Sequence, residues 1–138
     1  MSRVQLALNV DDLEESIAFY STLFGTEPAK TKPGYANFAV AEPPLKLVLI
    51  EKRGSGGSIN HLGVEVPDTA EVEAQQERLA QAGFATVEER GVECCYAAQD
   101  KFWVENTPNG EAWEVYTVLG DSPQACDGSR CCEVSAGC

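Results

Sequence analysis

Only one histidine occurs in 138 residues, and ten basic residues stand against 22 acidic ones. No apolar run approaches the roughly 20 residues that a membrane-spanning helix needs. Residues 4–10 are too short and too interrupted to read as a signal peptide. A formal net charge of -12 repels phosphate backbones and anionic lipid, so neither nucleic acid nor membrane is an expected partner. The acid excess is read as solubility. Cysteine is scarce where a disulfide framework would need it. Cys94 and Cys95 are the pair within the body of the chain, while Cys126, Cys131, Cys132 and Cys138 crowd its end. Such clustering argues against an extracellular disulfide scaffold and for soft-metal or redox chemistry in the cytoplasm. What remains is an ordinary globular composition, 43% apolar and 23% charged, of a size for one compact domain.

The chain repeats itself. Gln5-Leu-Ala-Leu-Asn-Val and His61-Leu-Gly-Val-Glu-Val each read as a short alternating strand leading to a helix start. Asp11 with Glu14, and Asp68 with Glu71, resemble capping boxes at the positive ends of those helices. Leu13, Ile17, Tyr20 and Phe24 form one apolar stripe, and Gly25 supplies a C-terminal cap. Val72, Leu79 and Ala82 make a weaker stripe that ends at Gly83. Strand-like stretches follow each helix, at 28–32, 35–41 and 45–51, then at 84–90, 93–98, 101–105 and 112–118. The Gly/Ser-rich segment 53–58 is a linker between modules 1–52 and 59–118, so residues 1–120 form one α+β domain of two βαβββ modules. Residues 121–138 lack an apolar period and read as a flexible cysteine-rich tail. Two such modules pair their sheets around a cleft, where equivalent positions face each other.

His61 opens the second module, and Gln5 is its counterpart in the first. Residues two apart in a strand share a face, so Ala7 and Gly63 leave room beside these two side chains. Glu114, within Ala112-Trp-Glu-Val-Tyr116, alternates away from Trp113 and Val115 on the last strand. A carboxylate there either faces solvent or points into the cleft toward a metal. Its counterpart in 45–50 is apolar. Gln5, His61 and Glu114 would give one nitrogen and two oxygen ligands with positions left open, a set suited to Fe(II) and open to other divalent metals.

The doubled pattern, the opening strands and the closing Trp113-Glu114-Val115-Tyr116 resemble the vicinal oxygen chelate superfamily, which includes glyoxalase I, extradiol dioxygenases and bleomycin-resistance proteins. The resemblance covers about residues 1–120. It implies a divalent metal held at Gln5, His61 and Glu114, with Gln5 standing where these enzymes commonly place histidine. Cys94-Cys95-Tyr96-Ala97 and Asp100-Lys101-Phe102-Trp103-Val104 resemble a narrower branch, the organoarsenical carbon–arsenic lyases. That resemblance implies an Fe(II)- and dioxygen-dependent enzyme that converts trivalent methyl and aryl arsenicals to arsenite.

Two thiolates can chelate one trivalent arsenic, so Cys94 and Cys95 are the candidate substrate ligands. Neighbouring side chains of a regular strand point to opposite faces, so the pair is expected in a loop or bulge, which Gly91 permits. Burial as two small hydrophobes and a vicinal disulfide are the other readings. Lys101, Tyr96, Phe102 and Trp103 are candidates for the pocket wall, with sheet packing the plainer role for Trp103. The expected partner is a small-molecule organoarsenical, and the expected state a monomer or homodimer. Two alternatives stand beside this reading. One is another metal enzyme of the same fold, a glyoxalase I or an extradiol dioxygenase. The other is a non-catalytic protein that sequesters arsenic or cadmium through its thiols.

Overall fold

The computed structural model describes residues 2–126. Strand β1 (Arg3–Val10) leads into α1 (Leu13–Phe24), then β2 (Lys30–Lys32), β3 (Tyr35–Val40) and β4 (Leu45–Glu51). The second half repeats this order with β5 (Ile59–Glu65), α2 (Thr69–Gln81), β6 (Thr86–Cys94), β7 (Ala97–Val104) and β8 (Trp113–Asp121). All eight strands join one curled sheet in the order β2-β3-β4-β1-β5-β8-β7-β6. The modules meet where β1 and β5 run antiparallel, with Gln5 opposite Gly63 and Ala7 opposite His61. Within each module the first and last strands are parallel, β1 with β4 and β5 with β8. No helix among the described residues is long and apolar enough to cross a membrane.

Helix α1 begins one residue later than the sequence suggests. Asp12 is its N-cap and accepts from the Glu15 backbone N–H at 3.0 Å. Asp11 instead accepts from the backbone N–H groups of Gly54 and Gly56, tying the linker to the end of β1. Either aspartate can serve as a cap; the linker decides between them. Gly25 closes the helix in the left-handed conformation at φ 64°. Asp68 caps α2 as expected, accepting from the Glu71 N–H at 2.9 Å.

The sheet's alternation sorts side chains between two environments. On one face Leu6, Leu8, Ala36, Phe38, Leu47 and Leu49 pack with α1, and Val64, Val66, Phe102, Val104 and Val115 pack with α2. Phe38 is fully buried in the first of these clusters. Truncating it to alanine costs about 3–5 kcal/mol, measurable as a lower urea midpoint at unchanged slope. The other face carries Gln5, Ala7, His61, Gly63, Glu114 and Tyr116 by the same alternation, and there the polar residues are buried as well.

The second module has three strands after its helix rather than the four short stretches expected. The register slips between Glu89 and Val92, so a bulge at Arg90-Gly91 is absorbed within β6 and the strand runs on to Cys94. The reversal falls at Cys95-Tyr96. The start of the tail also differs from expectation. Strand β8 extends to Asp121, Ser122 is buried, and Cys126 forms an antiparallel bridge with Cys94. The rest of the tail, with Cys131, Cys132 and Cys138, lies outside the described residues.

Candidate metal centre and thiol pair

The topology brings Gln5, His61 and Glu114 together, although 56 residues separate the first two and 53 the second and third by number. Gln5 Nε2 lies 3.1 Å from His61 Nε2 and 3.1 Å from Glu114 Oε1. His61 Nε2 and Glu114 Oε1 are 3.8 Å apart, and all three side chains are buried. Register explains the meeting. Glu114 sits beside Gly63 on the parallel β5–β8 pair, and Gly63 sits beside Gln5 on β1. A Cβ on Gly63 would come within 3.0 Å of Glu114 Cγ and 3.4 Å of Gln5 Nε2, so the cradle depends on its absence. Gly63→Ala is expected to weaken divalent-metal binding by roughly 10–100-fold while preserving the circular dichroism of the fold, as calorimetric titration with Mn(II) would show. The first-module counterpart of Glu114 is Val48, buried and apolar, so the site is asymmetric.

Each candidate ligand is held from behind. His61 Nδ1 lies 2.8 Å from Asn60 Oδ1, an acceptor that keeps the ring proton on Nδ1 and leaves the Nε2 lone pair facing Gln5 and Glu114. Asn60 is itself fixed by donating to Asn9 Oδ1 at 2.9 Å. Tyr116 OH donates to Gln5 Oε1. Lys101, fully buried, donates from Nζ to Glu114 Oε2 at 2.9 Å. Burial lowers the His61 pKa, with the Lys101 and Lys46 cations adding to that and Glu114 opposing it, so the ring is neutral near pH 7. For Glu114, burial alone would raise the pKa, but Lys101, His61 and hydrogen bonds from Lys101 and Gln5 outweigh it and hold the carboxyl below its ordinary value. A neutral imidazole, a carboxylate and an amide gathered at one point are a donor set that fits a divalent cation once the amide turns its oxygen inward, because here Gln5 Nε2 faces the other two and Oε1 accepts from Tyr116. Among the described residues no three His, Cys, Asp or Glu side chains form such a cluster, so the amide of Gln5 is what completes this one.

The cysteine pair closes the β6–β7 hairpin. Cys94 is the last residue of β6, and Cys95 and Tyr96 occupy the turn with φ of 52° and 62°. Two successive positive φ values are the pattern of a type I′ turn, which normally takes Asn-Gly. Cysteine and tyrosine there cost of order 1–3 kcal/mol each in backbone strain, held by what surrounds them. Lys30, from the other module, donates to the Tyr96 carbonyl at 2.9 Å. Tyr35 packs on the Tyr96 ring at 5.3 Å between centroids, and the Lys32 ammonium lies 5.8 Å from it. The turn breaks the strand alternation, and the two sulfurs come to 3.6 Å. Cys94 is disulfide-bonded in this structure, as is Cys126, whereas Cys95 is a buried thiol.

Trp103 connects the two features. Its ring meets the His61 ring edge-on at 5.9 Å, and it packs in one apolar cluster with Cys94, Cys95, Ala7 and Tyr35. Lys101 and Trp103 face the site, whereas Phe102, between them, packs under α2 and is not part of the wall. Tyr96 borders the cluster. Three supporting residues escape the sequence reading. Tyr116 lies two places after Glu114 and is within reach of the alternation rule. Asn60 and Lys46 carry no signal, since each reads as an outward polar residue of a strand. Lys46 is buried, which lowers its pKa, and interacts electrostatically with Glu65 and with Cys95.

The sequence model of the Glyoxalase/Bleomycin resistance protein/Dioxygenase superfamily matches residues 3–115, and the chain belongs to that superfamily. Within it, the chain is 62% identical over 135 residues to the trivalent organoarsenical cleaving enzyme of Thermomonospora curvata, covering 96% of this chain and 89% of that protein. It is 61% identical over 137 residues to the cadmium-induced protein CadI of Mycobacterium tuberculosis, covering 99% and 90%. Among solved structures, the Mn(II)-bound glyoxalase of Novosphingobium aromaticivorans aligns with a TM-score of 0.61 at 21% identity, over 94% of this chain and 44% of that one. An extradiol ring-cleaving dioxygenase from B. fuscum aligns at 0.59 and 18%, over 89% and 34%. These two similarities concern the fold.

Proposed function

We propose that this chain cleaves the carbon–arsenic bond of trivalent organoarsenicals to give arsenite, in detoxification of arsenic. In this reading Gln5, His61 and Glu114 hold Fe(II), and dioxygen is the co-substrate. Cys94 and Cys95, once reduced, bind the arsenic. The relatives named trivalent organoarsenical cleaving enzyme support the reaction. The observation that carries the proposal is the adjacency of a three-donor set and two sulfurs 3.6 Å apart, both touching Trp103.

Substrate capture is a condensation: R–As(OH)2 and two cysteine thiols give R–As(S-Cys)2 and two waters. Two sulfur–ion bonds of about 2.3 Å, as in zinc thiolates, span roughly 3.5–3.8 Å when they meet near a tetrahedral angle. The two sulfurs stand at that separation while Cys94 is still engaged in its disulfide. Fe(II), when bound, supplies the electrons that dioxygen needs for reaction with an organic group. The protein's own part is to hold. Asn60 keeps the metal-facing nitrogen of His61 deprotonated, Lys101 offsets charge at Glu114, and Gln5 would ligate through Oε1 by turning its amide away from the Tyr116 hydroxyl that this oxygen now accepts from. Trp103 and the apolar residues around the turn exclude water from the arsenic–carbon bond. For methylarsonous acid the balance is CH3As(OH)2 + O2 → As(OH)3 + HCHO, with no outside reductant.

Incubating the reduced, Fe(II)-loaded protein with methylarsenite in air should yield arsenite and formaldehyde in equal amounts. Undiminished cleavage without oxygen would overturn the scheme. Thiol-based sequestration without catalysis is the second reading, favoured by the relatives named cadmium-induced protein. It predicts arsenical binding with no formaldehyde.

A further inference from the structure

The chain beyond β8 folds back onto the hairpin that carries the cysteine pair. Ser122 N–H donates to the Tyr96 carbonyl at 3.0 Å, and Cys95 N–H donates to the Ala125 carbonyl at 2.7 Å. The next residue, Cys126, pairs with Cys94 as an antiparallel bridge. Residues directly opposite in such a pair project to the same face, with Cβ atoms about 4.5–5.5 Å apart. Cys94 Sγ already lies 3.6 Å from Cys95 Sγ. The backbone therefore gathers three cysteines at one turn, two from the hairpin and one from the returning strand. Cys94 and Cys126 are each engaged in a disulfide here, so the three-thiol arrangement belongs to the reduced protein. Two equivalents of a small thiol per disulfide deliver two electrons and two protons and leave as their own disulfide.

Valence gives the third thiol a purpose. An organoarsenical offers two exchangeable bonds, because carbon occupies the third, and two cysteines satisfy it. Inorganic arsenic(III) offers three. We infer that Cys126 is the third ligand in a trigonal thiolate site for inorganic arsenic(III), engaging the arsenic only after its carbon has left. The step is balanced: (Cys94-S)(Cys95-S)As–OH and the Cys126 thiol give As(S-Cys)3 and one water. Carbon on arsenic blocks the step, so the protein distinguishes product from substrate by the number of its bonds. This inference rests on the assignment of Cys94 and Cys95 as the arsenic-binding pair.

The test uses the full-length, fully reduced chain carrying Cys131→Ser, Cys132→Ser and Cys138→Ser, which leaves Cys94, Cys95 and Cys126 as its thiols. Phenylarsenite and inorganic arsenite are titrated separately, and remaining thiols are counted with a chromogenic disulfide. Phenylarsenite should consume two thiols and arsenite three. Adding Cys126→Ser should leave phenylarsenite binding unchanged and weaken arsenite roughly a hundredfold, the loss expected when a third contact of high effective concentration is removed. Arsenite that consumes two thiols, with an affinity indifferent to Cys126→Ser, overturns the inference while the pair assignment stands. Phenylarsenite that consumes none overturns the pair assignment itself.

Discussion

Replacing His61 with alanine should abolish the proposed carbon–arsenic cleavage and leave arsenical binding intact. The chain contains no second imidazole that could take its place. The ring is poised to donate one lone pair, because Nδ1 is engaged with Asn60, burial keeps it neutral, and Nε2 faces Gln5 and Glu114. Removing a residue that merely supports a metal ligand typically costs 10–100-fold in affinity or activity, so losing the sole nitrogen donor should cost more than that. The cysteine pair sits on a separate hairpin whose turn is clamped by Lys30 and Tyr35, and Trp103 packs with it while meeting the imidazole edge-on. Binding of phenylarsenite, read as consumed thiols, should therefore match the parent protein. Formaldehyde release should vanish. Turnover within a few-fold of the parent would remove His61 from the metal set. Retained arsenic or cadmium resistance in cells carrying this variant would favour sequestration as the biological role.

Much of this is legible from residue order because the chain states its architecture twice. The matching strands at Gln5 and His61 place both side chains at one module boundary, and the period of two fixes which neighbours share their face. Glu114 needs the register of β8 against β5 to be placed inside, since an acid on a closing strand reads equally well as solvated. What stays hidden is set by contacts distant in sequence. The choice of Asp12 over Asp11 as helix cap is made by the linker's N–H groups. The reversal at Cys95-Tyr96 is masked because neither residue is a turn former; its conformation is sustained by Lys30 and by the strand returning to Cys126. A local pattern cannot report support that arrives from the other module. Lys46 is missed for the related reason that a lysine between leucines reads as an outward residue, whereas the curl of the sheet turns it inward.

Lys101→Met should be the most destabilising single change at the site in the metal-free protein. The ammonium is fully buried and lies 2.9 Å from the buried Glu114 carboxylate. Methionine preserves much of the packing against Trp103 and Tyr116 but removes the charge that both rings face. A carboxylate left in such a place without its partner costs about 3–5 kcal/mol. A divalent cation between Gln5, His61 and Glu114 would offset that cost, so urea unfolding of the variant should show a larger gain from added Mn(II) than the parent shows. Acid provides a second reading of the same pair. Both His61 and Glu114 have pKa values lowered by folding, so the unfolded chain binds their protons first and stability falls as pH drops below about 6.5 for the histidine and about 4.5 for the carboxyl. With Lys101 gone, burial becomes the dominant influence on Glu114 and pushes its pKa upward. The acid-induced loss in the carboxyl range should then shrink or reverse, while the histidine part persists. A Lys101→Met variant destabilised no more than an exposed ion pair would predict, about 1 kcal/mol or less, and indifferent to Mn(II), would mean that the ammonium does not compensate the charge at the metal-facing carboxylate.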